Sequence, residues 1–191
     1  FDYSNLGYGI LGEAVRQVSH KSYANFMRDE VFLPLGMTHA SVGIGSGFEK
    51  HAAVRYSSAI GRRPTAYSAS PAASGIYCNA HGSALLGLFH LKAHLPNQKA
   101  ILSDKSIEMM QNSTVNTGDR SRYGLGWWVD EDLNGYRGLL GQGGTDDAMA
   151  FLRLIPFEKI VVVVLTNTGD DFPPKLVDEI LSPHGDQGLE P

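Results

Sequence analysis

Residues 127–166 read WWVDEDLNGYRGLLGQGGTDDAMAFLRLIPFEKIVVVVLT, and this stretch decides the fold. Trp127, Trp128 and Val129 are good strand formers, and Asn134-Gly135 ahead of Tyr136 is a strong signal for a two-residue hairpin. Ala148 to Ile155 reads as a strand that turns at Pro156-Phe157-Glu158-Lys159 into Ile160 to Thr166. The unbroken aliphatics from Ile160 to Leu165 predict a strand buried on both faces. Strands joined by such short turns form an antiparallel meander.

Upstream the apolar period changes to that of a helix. Leu6, Ile10, Leu11, Val15 and Val18 predict a helix over 6–18, with Ser4 or Asn5 as its cap. A second helix over 23–31 presents Tyr23, Phe26, Met27 and Val31, and Pro34 and Gly36 stop it. Residues 38–74 are rich in Gly, Ser, Ala and Arg without a period, which predicts a long surface excursion containing short elements. Asn79 caps a helix from Ala80 to about His94, and Ser103 another reaching about Gln111. Downstream, Pro173 opens a last helix over 175–181, and residues 182–191 read as a frayed tail. Helices first, then an antiparallel sheet, then a helix make an α+β arrangement. We expect residues 1–122 to be its mostly helical part, and 123–191 the strands plus C-terminal helix of the same fold.

With 191 residues, 42% of them hydrophobic, the chain can bury a sizeable core. A net charge of -4 gathers no phosphates, so no nucleic acid partner is expected. The aliphatic run 160–165 is far shorter than the roughly 20 residues a membrane helix requires, so no membrane span is expected. Phe1 is not an initiator, so residues are expected upstream of it. The lone cysteine, Cys78, excludes an internal disulfide and reads as a small hydrophobe beside a helix start.

Several residue pairs invite chemistry and do not carry it. His90 and His94 have the spacing of a two-histidine metal site, but no glutamate follows His90 and no third ligand is evident, so no metal is expected. Asp146-Asp147 and Asp170-Asp171 could be acid/base carboxylates, yet neighbours on a strand point to opposite faces, and solvated turns are the expectation. Of Trp127 and Trp128, at least one must face the core.

Six collinear segments resemble the penicillin-recognising serine hydrolases, which include class C β-lactamases, D-alanyl-D-alanine carboxypeptidases and related esterases. They are Phe1-Asp2-Tyr3-Ser4-Asn5-Leu6-Gly7-Tyr8, Pro34-Leu35-Gly36-Met37, Pro71-Ala72-Ala73-Ser74-Gly75-Ile76, Tyr123-Gly124-Leu125-Gly126-Trp127, Gly141-Gln142-Gly143-Gly144 and Leu165-Thr166-Asn167. The resemblance implies a β-lactamase/transpeptidase-like fold, an antiparallel sheet flanked by helices with part of a helical subdomain. The family's N-terminal strands and nucleophile helix are absent from this chain. It also implies a serine hydrolase acting on a β-lactam, a D-alanyl peptide or a small ester, with no cofactor.

A serine hydroxyl is a poor nucleophile near neutral pH, so a base must take its proton while N–H groups hold the oxyanion. The resemblance makes Tyr3 that base or a proton relay, provided cations lower its pKa from about 10. It makes Asn5 the group that positions substrate and lysine, and Gln142, Gly143, Gly144 and Thr145 the strand edge along the substrate. The N–H of Thr145 becomes one oxyanion donor.

Two departures stand out. Gln142 occupies a position where the family has Lys or His, and it cannot supply charge. No serine is followed by Lys three positions on, so this chain lacks the nucleophile motif and is expected to be inactive alone. The expected partners are a small acyl substrate and, over the unpaired sheet edge, the missing N-terminal part of the fold or another copy. A non-catalytic binding or scaffolding module is the alternative. Location is not set by these residues; the resemblance alone suggests the periplasm or the exterior.

Overall fold

The computed structural model of the chain describes residues 1–45, 47–63, 68–112, 114–118, 121–133, 135–170 and 172–181. The expected tail, 182–191, lies outside them, as do Asn134 of the hairpin and Asp171 of the second acidic doublet.

Helix α1 spans Asn5–Ser19. Of its two candidate caps Ser4 is the one used, its Oγ accepting from the N–H of Gly7 at 3.0 Å. Asn5 is therefore the first helical residue, with its amide released from capping. Helix α2, Tyr23–Phe26, runs directly into a π-helical segment, Met27–Phe32. Gly36, at φ 78°, then turns the chain and leaves Leu35 fully buried. Residues 38–77 contain four two-residue strands, β1 Ser41–Val42, β2 Tyr56–Ser57, β3 Gly61–Arg62 and β4 Ile76–Tyr77, paired as β1 with β4 and β2 with β3.

Helix α3, Ala80–His90, is capped by Asn79, which accepts from Gly82 at 2.8 Å. It ends before the expected His94. Lys92 takes a left-handed φ of 57°, and the N–H of Ala93 returns to the Leu88 carbonyl at 3.1 Å, closing the helix in Schellman fashion. His94 therefore does not share a helical face with His90. It lies in the following turn, 3.2 Å from Asp104, while His90 is buried against Trp127 with ring centroids 4.9 Å apart. Helix α4, Asp104–Asn112, begins at Ser103, whose Oγ accepts from Ser106 at 3.1 Å.

The sheet is wholly antiparallel, in the order β10-β9-β8-β7-β6-β5. Its strands are β5 Val115–Asn116, β6 Arg122–Tyr123, β7 Trp128–Leu133, β8 Tyr136–Thr145, β9 Ala148–Ile155 and β10 Ile160–Thr166. Leu133 pairs with Tyr136, which joins β7 to β8 as neighbouring antiparallel strands. Alternation along the strands sends Val129, Leu139 and Leu154 to one face, packed with Trp127 and Leu91. Leu140, Phe151 and Val164 go to the other, against Val177 of α5, Phe172–Leu181. A third cluster of Phe32, Leu35, Met37, Phe89 and Ile107 holds the helical part together.

The aliphatic run did form a strand, but β10 is the outermost of the sheet. Only Val164 within it is buried, and Ile160 and Leu165 stay exposed, because one edge of β10 has no neighbouring strand among the described residues.

Candidate active site

Strand β8 outruns one of its neighbours. Its pairing with β7 ends at Trp128↔Leu140, whereas its pairing with β9 continues through Gly141↔Leu152, Gln142↔Phe151, Gly143↔Ala150, Gly144↔Met149 and Thr145↔Ala148. Residues 141–145 thus present an edge with no strand partner among the described residues, and the last four of them are solvent-exposed. Every second N–H and C=O along such an edge points outward. Gly143 leaves open space where a side chain would stand. Gly144 does not: a Cβ there would meet Met149 Sδ, so its bareness serves the packing between β8 and β9.

Tyr3 reaches this edge through one ring. It lies parallel to Trp128, with centroids 6.2 Å apart and planes 15° from each other, and Trp128 is the cross-strand neighbour of Leu140, two residues before Gln142. Tyr123 stands edge-on to both Tyr3 and Trp128, at 6.2 and 4.9 Å, and Phe1 lies against Tyr123 and Trp128. Such ring pairs hold orientation as well as area. The hydroxyl of Tyr3 and the amide of Asn5 make no hydrogen bond to any described residue, and neither touches Gln142 to Thr145 through one. Tyr3, Asn5 and the four strand residues are all exposed.

Tyr8 and Tyr123 share a hydrogen bond of 3.2 Å between hydroxyls. Burial first, and this bond second, push the Tyr123 phenol well above its usual pKa, so it stays neutral at any physiological pH. Of Tyr3, Tyr8 and Tyr123, Tyr3 is the exposed one, and its hydroxyl has no hydrogen-bond partner among the described residues.

At the far end of β8, the hydroxyl of Thr145 donates to Asp147 Oδ1 at 2.6 Å. Asp147 is 4% exposed and also faces Arg55 Nη1 at 3.4 Å and Arg63 Nε at 3.7 Å. Asp146 pairs with Arg63 at 3.1 Å. These acids do form a turn, but only Asp146 is solvated; Asp147 anchors the turn to residues 55–63. Gly169 lies beneath it, with room for no side chain, since a Cβ would contact the Thr145 carbonyl and the Asp146 backbone.

The sequence model of the Beta-lactamase family matches residues 1–182. The chain belongs to that family. It is 27% identical over 185 residues to "Protein flp" of Staphylococcus aureus strain MRSA252, covering 94% of this chain and 36% of that protein. It is 25% identical over 179 residues to "Penicillin-binding protein 4" of Amycolatopsis lactamdurans, covering 87% and 47%. The chain therefore spans about a third to a half of the length of the curated relatives it matches. Among solved structures, the β-lactamase/D-alanine carboxypeptidase from Pseudomonas syringae superposes with a TM-score of 0.79 at 14% identity, over 93% of this chain and 57% of that one. That likeness establishes the fold: an antiparallel sheet with flanking helices, present here in part.

Within the Beta-lactamase family fold, three features of this site were not legible beforehand. Tyr123 and Trp128 pack on Tyr3, a contact that the motifs holding Phe1, Tyr3 and Tyr123 did not announce. Arg55 and Arg63 fall in a segment without period, so their convergence on Asp147 had none. The aromatic contact of His90 was hidden behind its apparent pairing with His94.

Proposed function

We propose that the protein carrying this chain is a serine hydrolase that cleaves an amide or ester carbonyl through an acyl-enzyme. The candidate substrates are a β-lactam, a D-alanyl peptide and a small ester. A serine outside this chain attacks the carbonyl carbon and gives its proton to Tyr3. The tetrahedral oxyanion is held by the N–H of Thr145 and a second donor. Tyr3 then passes the proton to the leaving nitrogen or oxygen, and water repeats the sequence to release the acid. Asn5 hydrogen-bonds the acyl portion, and residues 142–144 lie along the substrate as a neighbouring strand would.

The observation that carries this reading is the unpaired stretch of β8 from Gly141 to Thr145 lying one ring away from Tyr3. Intact mass spectrometry of the longest native protein containing this chain tests it, before and after incubation with a penicillin and with an activated ester. A stable adduct on a serine upstream of Phe1 supports the acyl-enzyme. No adduct with either reagent on folded protein overturns it.

Gln142 favours a second reading, a non-catalytic binding module, because a neutral amide there leaves Tyr3 without the cation that would lower its pKa. In either reading the exposed edge of β10 is covered by upstream strands of the same fold or by a second copy.

A further inference from the structure

Beyond Thr145 the chain folds a cavity of 430 Å³ whose lining includes Ile44, Glu49, Val54, Arg55, Arg62 and Arg63. Its walls are fixed to the reactive strand. Tyr56 donates its N–H to the Asn167 carbonyl at 2.9 Å, Asn167 Nδ2 donates to the Val54 carbonyl at 2.8 Å, and Arg55 and Arg63 meet the Asp146-Asp147 turn directly after Thr145. Through Asp147, which Thr145 and Arg55 share, the cavity wall is tied to the end of β8.

The charges in the cavity are unevenly matched. Asp146 and Asp147 face Arg55 and Arg63 from the turn, and the Glu49 carboxylate accepts from the Gly47 N–H at 2.8 Å. Arg62 makes no ion pair or hydrogen bond with a described residue. Arg55 Nη2 is fully buried and likewise without a partner there. The Arg62 guanidinium, with Glu49 opposing a higher charge, fits a singly charged carboxylate better than a phosphate dianion. The volume is many times that of an ion, and Ile44 and Val54 supply apolar wall, so the carboxylate arrives at the end of a short methylene chain.

We propose that this cavity is the acyl pocket of the hydrolase and selects acyl groups that end in a carboxylate, with Arg62 as its donor. This rests on the reading of Thr145 as an oxyanion donor. The test compares the 4-nitrophenyl monoester of glutaric acid with 4-nitrophenyl butyrate on the longest native protein containing this chain. The expected kcat/KM ratio favours the glutaryl ester about 10-fold or more, in line with a charge-assisted contact. It falls toward one in Arg62→Gln, and falls in the unaltered protein as salt is raised. Equal use of the two esters, or a ratio untouched by both changes, overturns the proposal. If neither ester is cleaved, calorimetric binding of glutarate decides. Binding that Arg62→Gln abolishes keeps the anion pocket and removes the hydrolase reading, and no binding removes the pocket.

Discussion

Thr145 and Asp147 are tied side chain to side chain, hydroxyl to carboxylate at 2.6 Å, across the turn that ends β8. The same carboxylate oxygen faces Arg55, so strand β8 and the loop of residues 55–63 share one buried acceptor. Asp147→Ala leaves the Arg55 guanidinium, itself 17% exposed, without its counter-charge. The expected loss is about 3 kcal/mol of stability, because a buried charge stripped of its partner costs more than the pair contributes. Urea unfolding measures it; a loss below about 0.5 kcal/mol, the surface-substitution range, would show that the contact is not a bond of consequence.

His90 predicts a pH dependence. Burial alone lowers its folded pKa to about 4 from the usual 6.5. Between those values the unfolded chain binds the proton and the folded chain does not, so unfolding is favoured as pH falls. The contribution is complete above pH 6.5 and is lost as pH drops toward 4, amounting to about 2–3 kcal/mol. His90→Phe keeps a ring for Trp127 to pack on and removes the proton. Denaturation midpoints between pH 4 and 7 should fall less steeply for the variant; parallel slopes would refute the assignment.

Gly87 lets α3 lie on β10. A Cβ there would sit 2.6 Å from Val161 Cγ1, and valine has no flexible end to swing away. Gly87→Ala gains about 1 kcal/mol of helix propensity, yet the overlap is expected to leave a net loss of about 1–2 kcal/mol. Adding Val161→Ala should recover part of that loss. Additive effects of the two changes in a double-mutant cycle would mean that helix and strand do not meet there.

Tyr3→Phe separates chemistry from packing. The ring on Trp128 is retained and the free hydroxyl is lost, so stability should stay within about 0.5 kcal/mol. Ester hydrolysis by the longest native protein should fall about 10²–10⁴-fold, the range of a general base. Gln142→Lys places a cation where the β8 edge opens and is expected to raise kcat/KM and move the acid limb of the pH profile, which reports the pKa of the base, downward. A rate indifferent to both changes would favour the binding module.

Much of this was legible in the residues because it depends on local signals. The hairpin at 134–135, the strands 148–155 and 160–166, and the caps Ser4, Asn79 and Ser103 all follow from neighbours in sequence. The end of α3 was not, since the left-handed turn at Lys92 has no glycine to announce it. The exposure of β10 was misread because an aliphatic run records what could be buried, whereas burial depends on which strand stands alongside. In the site, Tyr3 and the glycine-rich edge were visible as motifs. The Arg55–Asp147 contact joins residues 92 positions apart, and no period or spacing encodes such a meeting.

The overhang of β8 has a consequence for how this protein can drift. A ligand lying along Gly141 to Thr145 would be read by peptide groups, which are the same whatever side chains they carry. Recognition of that kind is indifferent to spelling. Gly143 has open space for a side chain, while Gly169 is held by the backbone of the turn beside it. Selection for a new substrate would then act least on the strand that touches it and most on the loops around it, of which residues 44–63 are the nearest.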